Sequence, residues 1–206
     1  MTEDLRETLN HSDELTGAGR HEEHLALMRE ALARHPGELE VVIRAAEAHM
    51  VEGPEEAAEL AREAVKMAPD DPVTLTRAAS VMFYVERLEE ARKLLIRAME
   101  GAPDDFILAS DLVYLGGQIF FAYGNHDKAE EFLTLAFDDQ PERPGRGYAL
   151  SDLLEHQGEF ARALEVADEA LRHRPGDGAL EDLQARLRFL VYAVEALPPG
   201  YAVRYK

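Results

Sequence analysis

The 206-residue chain contains no cysteine, which excludes disulfides, thiolate metal sites and a cysteine nucleophile. It has no run of about 18 apolar residues, the length a membrane-spanning helix requires. Its start, MTEDLRETLNHSDEL, is polar and acidic where a secretory signal would be basic and then apolar. The expected location is therefore cytoplasmic. Basic residues are scarce, with 22 Lys and Arg against 41 Asp and Glu for a net charge of −19. Over residues 104–141 one lysine stands against eight acids. Such a surface repels phosphate backbones, so nucleic acid is not an expected partner. The acidity is first of all what keeps an exposed helical surface soluble, and its functional reading is a protein partner with basic flanks. Motifs of chemistry are also lacking. The eight histidines fall in no nucleophile pattern with Ser or Asp. Gly145-Arg-Gly147 lacks the strand and helix that frame a phosphate loop. His21 and His24, in HEEH, lie one turn apart but have no third ligand. No catalysis, cofactor or metal is expected.

What is present is a repeated helix hairpin, plainest in DDPVTLTRAASVMFYVERLEEARKLLIRAMEGAP, residues 70–103. Asp71 can cap a helix, and Pro72 suits its first position, where a fixed φ and a missing N–H cost nothing. Leu75, Ala78, Ala79 and Met82 then recur at three- and four-residue steps, the spacing of one helical face. Glu86 and Arg87 mark a turn. Leu88, Ala91, Leu94, Leu95 and Ala98 form a second stripe, stopped by Gly101 and Pro103. Matching prolines at 36, 69, 103, 141 and 175 are spaced by 33, 34, 38 and 34 residues. Five residues before each stands an alanine: Ala31, Ala64, Ala98, Ala136 and Ala170. Twelve residues before each stand His24, Ala57, Ala91, Ala129 and Ala163.

A helix–turn–helix recurring every 34 residues or so, with small residues in phase, resembles the tetratricopeptide repeat (TPR) family. The resemblance covers roughly residues 5–175, although the aromatic and Leu-Gly positions of the family's first helix are poorly kept. It implies an all-α, right-handed superhelical solenoid of about five hairpins closed by a C-terminal capping helix. On that reading the chain is one domain over 1–206, with units near 5–36, 37–69, 70–103, 104–141 and 142–175. The capping helix spans about 177–197, and 198–206 is a tail in which Tyr201 and Tyr205 could dock.

Three segments depart from the repeat. The fourth unit is four residues longer than its neighbours, about one helical turn, and carries Gly116-Gly117 in mid-helix. Glycine there costs about 0.5–1 kcal/mol relative to alanine, so a close helix crossing is expected. In the fifth unit the breaker-rich tract Pro141-Glu-Arg-Pro-Gly-Arg-Gly delays the expected helix start to about Gly147 or Tyr148. The closing segment, GDGALEDLQARLRFLVYAVEAL, places Leu183, Leu187, Leu190 and Val194 on one side and Phe189, Val191 and Tyr192 around it.

In the TPR family the first helices line a concave groove that holds peptides or helices of other proteins. Carrying its groove columns over, the resemblance implies Val42, Ala46 and His49 in the second unit. It implies Thr76, Arg77, Ser80, Phe83 and Tyr84 in the third, Tyr114, Gln118 and Phe121 in the fourth, and Tyr148, Asp152 and Glu155 in the fifth. Aromatic residues at helical spacing also serve as core, and some of these are expected to pack between units. One branch of the family grips a chaperone's C-terminal carboxylate with basic side chains. Here only Arg77 matches that clamp, whose other positions read Leu9, Asp13, Ile43 and Val73, so that ligand is not expected. The expected function is a non-catalytic interaction module binding a protein or peptide. The alternative is self-association into a homodimer through the C-terminal helix or the long fourth unit, since the last helix has more apolar surface than a cap needs.

Overall fold

The computed structural model describes residues 2–102 and 106–196, with the side chains of 106–110 and Glu195 excepted. Pro103, the Pro198-Pro199-Gly200 stop and the tail with Tyr201 and Tyr205 lie outside the described residues. Eleven α-helices and no strands are found among the described residues. They are α1 (Glu3–Gly17), α2 (His21–Arg34), α3 (Leu39–Ala48), α4 (Pro54–Met67), α5 (Pro72–Tyr84), α6 (Leu88–Gly101), α7 (Phe106–Ala122), α8 (His126–Asp139), α9 (Pro144–His156), α10 (Phe160–His173) and α11 (Gly178–Glu195). The chain forms two compact units, Met1–Leu108 and Ala109–Lys206.

Local chemistry sets the helix ends. Asp71 and Asp177 accept from the N–H groups of Thr74 and Leu180 at 2.8 and 3.1 Å, satisfying donors the first turn leaves free. Pro54, Pro72 and Pro144 sit in first turns. The third of these corrects the reading of the fifth unit. The helix starts at Pro144 because a proline there needs no N–H partner, and Gly145 and Gly147 are carried inside it. The four extra residues of the fourth unit lengthen a helix, since α7 has 17 residues where α5 and α9 have 13.

Both alanine columns are core. Ala31, Ala64, Ala98, Ala136 and Ala170 are buried, as are Ala57, Ala91, Ala129 and Ala163. A methyl at these points lets paired helices approach closely while the larger Leu75, Leu95, Leu133, Leu153 and Leu183 fill the space between them. Two glycines carry this further. A Cβ on Gly117 would lie 2.6 Å from Leu133 Cγ and 3.2 Å from its backbone nitrogen, so α7 and α8 cross there as closely as expected. A Cβ on Gly147 would lie 2.5 Å from the Cβ of Ala170, which pins α9 to α10.

Candidate functional site

In the first unit the first helices of the hairpins, α1, α3 and α5, are linked along one side by charged side chains. Arg44 bridges α1 and α3, bonding Asp13 and Glu40. Arg77, on α5, reaches back to α3 and donates to Glu40 at 2.8 and 3.0 Å and to Glu47 at 2.7 and 2.8 Å. The result is a ladder, Asp13–Arg44–Glu40–Arg77–Glu47, across three helices. Burial disfavours the Arg77 cation, but the hydrogen bonds and charges of Glu47 and Glu40 outweigh it and raise its pKa, so it stays charged at any accessible pH. Against this ladder lies a cavity of about 550 Å³. Its polar lining includes the ladder residues Asp13, Arg44, Glu47 and Arg77 together with His21, His24, Glu52 and the hydroxyls of Ser12, Thr16 and Ser80, and Leu25, Ala48, Met50 and Val51 supply its apolar one. Beside it a second hollow of about 480 Å³ is lined by Met50, Tyr84, Val85 and Arg87. Phe83 packs edge-on against Tyr84 at 5.6 Å.

In the second unit the corresponding face is built by α7, α9 and α11. Tyr114 donates to the Gly145 carbonyl at 3.1 Å and accepts from Gln118 at 3.2 Å. Phe121 meets the His156 ring edge-on at 5.1 Å. Arg186 donates to Glu155 at 2.7 Å and lies 3.8 Å from Asp152. Burial pushes the Asp152 carboxyl above its usual range, with Glu155 adding to this and His156 and Arg186 opposing it. Below this face Arg146, 1% exposed, donates to the Ala136 carbonyl and to Asp111 at 2.9 Å each and stacks over Tyr114.

Each expected groove residue can now be placed. Arg77, Ser80, Phe83 and Tyr84 lie on the first-helix side of the first unit, half-buried or exposed. Tyr114, Gln118, Phe121, Tyr148, Asp152 and Glu155 do so in the second. His49 does not. It is 0% exposed, donates from Nδ1 to the Ala45 carbonyl at 2.7 Å, and lies under Arg29 and Glu56 at its other nitrogen. Val42, Ala46 and Thr76 are buried as well. The surface of α3 instead presents Glu40, Arg44 and Glu47, displaced around the helix from the inferred column. The displacement is two residues, from 42 to 40, 46 to 44 and 49 to 47, which turns a side chain by about 200° and exchanges groove for core.

The reading of residues missed the interhelical ladder, whose signal is a period. An arginine repeatedly pairs with an acid about one repeat earlier: Arg44 with Asp13, Arg77 with Glu47, Arg87 with Glu55, Arg143 with Asp111, Arg162 with Glu130 and Arg186 with Glu155. It also missed the pairing of Ser12 with His24, whose Oγ and Nε2 are 3.0 Å apart. That is the distance of a nucleophile from its base, but Ser12 is 1% exposed and also takes Arg44, so the pair joins α1 to α2. Among the described residues no three His, Cys, Asp or Glu converge as a metal site, and no helix is long and apolar enough to cross a membrane.

Residues 120–187 match the family model described as tetratricopeptide repeat. Among curated proteins none matches the sequence. A solved thermophilic TPR protein of Thermus thermophilus is similar at 23% identity and a TM-score of 0.76, over 91% of this chain and 98% of that one. PilF of Pseudomonas aeruginosa is similar at 18% identity and a TM-score of 0.66, over 92% and 85%. The APC/C hetero-tetramer Cut9–Hcn1 contains a chain with 16% identity and a TM-score of 0.69, of which the match covers 35% and of this chain 85%.

Proposed function

Since this chain is a tetratricopeptide-repeat protein, by its match over residues 120–187 and by fold, we propose that it binds a peptide or helix of a partner protein on its first-helix faces and performs no chemistry of its own. TPR proteins in general are interaction scaffolds and non-catalytic adaptors, and one similar chain is part of a named hetero-tetramer. The observation that carries the proposal is the cavity of about 550 Å³ in the first unit. Its size is that of a site for a few side chains. Its walls combine apolar Leu25, Met50 and Val51 with the hydroxyls of Thr16 and Ser80 and the carboxylates of Asp13, Glu47 and Glu52. Arg44 and Arg77 are already bonded to acids, so the potential felt by a ligand is negative. The segment that fits inserts an apolar side chain and carries Lys or Arg beside it, with the cation meeting Glu47 and Glu52. Tyr84 and Phe83 would extend the contact along α5. Tyr114, Gln118, Phe121, Tyr148, Asp152 and Glu155 offer the second unit a similar surface, supported by the same mixture of aromatic and acidic groups.

The test is selection of peptides from a random library on the full chain, followed by titration of the selected peptides against wild type and Ser80→Trp. The indole would project from α5 into the cavity, against the Arg77 side of the ladder, and an unchanged thermal midpoint shows that the ladder survives the substitution. Selected sequences should be rich in Lys and Arg, and their affinity should fall at least tenfold in the variant. Peptides that bind the variant equally well, or a selection with no basic bias, would refute the assignment.

A further inference from the structure

We infer that the outer face of α11 is an interface for a second copy of this chain, bound antiparallel about Ala185. This lies on another element from the first-unit cavity and stands or falls independently of it. In α11 the core direction is taken by Leu180, Leu183 and Leu187, all buried. At about 100° per residue the opposite face carries Glu181, Asp182, Ala185, Arg188, Phe189 and Tyr192, every one exposed. A helix that closes a repeat array has a polar outer face. This one leaves Phe189 and Tyr192 70% and 71% exposed, the largest exposures among the described aromatic residues.

The charges along the face choose the occupant. Acids occupy its N-terminal part, Glu181 and Asp182, and an arginine, Arg188, follows the crossing point. A parallel copy would set acid on acid and arginine on arginine. An antiparallel copy reverses the order, so the face is complementary to itself. With the two-fold axis at Ala185, Glu181 lies about 6 Å along the helix on one side and Arg188 about 4.5 Å on the other. Each therefore meets the other's counterpart in the second copy. The Arg188 side chain is 61% exposed and lies 3.6 Å from Asp168, close enough to hold its direction and free enough to take a second carboxylate. Ala185 at the crossing allows close approach. Phe189 and Tyr192 then fall over the first turns of the second copy's helix, beside Asp182 and Gly178, where there is little bulk to displace them. A single helix pair is small beside the roughly 1,200–2,000 Å² of stable interfaces, so the dimer should exchange rapidly and depend on concentration.

The experiment is sedimentation velocity of the full chain from about 1 to 500 µM. The expected result is a reversible monomer–dimer equilibrium, weakened by salt and at least tenfold weaker in Phe189→Asp. Arg188→Glu and Glu181→Arg should each weaken it about tenfold. The double variant E181R/R188E, and an equimolar mixture of the two single variants, should restore it, because the pairing is between copies. Substitutions on this exposed face leave the core intact, and helicity by circular dichroism confirms it for each variant. A chain that stays monomeric throughout, a dimer indifferent to Phe189→Asp, or a charge swap that fails to restore association would overturn the assignment.

Discussion

Gly147→Ala tests how tightly the second unit is packed. In most helices this change is favourable, by about 0.5–1 kcal/mol of recovered backbone entropy. Here the new methyl carbon would fall 2.5 Å from the Cβ of Ala170 and 3.2 Å from Cε2 of Phe137. Carbon atoms prefer about 3.5–4.0 Å, so the overlap with Ala170 is roughly 1 Å. A Cβ is fixed to the backbone and has no rotamer to escape into, so α9 and α10 must separate. Overpacking costs about 1–3 kcal/mol; an overlap between two Cβ atoms with no rotamer to relieve it takes the upper half of that range, and subtracting about 1 kcal/mol of propensity gain leaves a net loss of about 1–2 kcal/mol. For a chain of this size that lowers Tm by about 2–8 °C. The assay is thermal unfolding by circular dichroism, with Gly178→Ala as the matched control, because nothing lies within 4 Å of a Cβ there. Ala170→Gly should couple to it, the double variant losing less than the two single losses added together. A Gly147→Ala protein as stable as wild type, or strictly additive losses in the cycle, would refute the close crossing.

Three further predictions rest on other parts of the chain. Glu86 holds φ of 60° in the α5–α6 turn, where the comparable turns use Gly19, Gly124 and Gly158 at 67°, 71° and 81°. A left-handed residue with a side chain costs about 1–2 kcal/mol, so Glu86→Gly should raise stability by about 0.5–1 kcal/mol after glycine's own entropy, and a lowered midpoint in urea would contradict this. Arg77→Ala strands Glu47, while Glu40 keeps Arg44, and should cost about 1–3 kcal/mol; adding Glu47→Ala should cost less than the sum, and additive losses would mean that the Arg77–Glu47 pair contributes nothing. Burial lowers the pKa of His24, with Arg44 and His21 assisting and Glu47 and Asp13 opposing. Its folded form therefore binds fewer protons than its unfolded form, whose pKa is about 6.5. The stability this confers is complete above that pH and is lost as pH falls through the depressed folded value. The Tm advantage of wild type over His24→Gln should shrink from pH 7.5 to pH 5, and a difference independent of pH would remove His24 as the cause.

Much of this architecture is written locally. Pro54 and Pro72 announce helix starts because their effect depends only on their own φ and missing N–H. The alanine columns at 31, 64, 98, 136 and 170 announce the core because a buried methyl is demanded at the same point in every hairpin. Gly117 points to a close crossing because glycine in mid-helix has a cost that a near neighbour or a bend must offset, and Leu133 stands where its Cβ would go. Pro144 shows the limit of the same logic. A tract with two prolines and two glycines reads as broken, yet from the second proline onward it is the first turn of a helix.

By itself, then, the sequence determined the repeat, the helices and the residues that pack inside each hairpin, since those follow from contacts between residues close along the chain. Only the tertiary structure decided which side of each first helix faces outward. That side depends on the rotation of one helix against its neighbours, and a step of two residues, about 200°, separates buried His49 from the half-buried Glu47 on the outward edge. It alone joined Arg77 to Glu47 and Arg186 to Glu155, 30 and 31 residues apart. It alone left Phe189 and Tyr192 in water, because whether an aromatic side chain is core or interface depends on what the rest of the fold has placed over it.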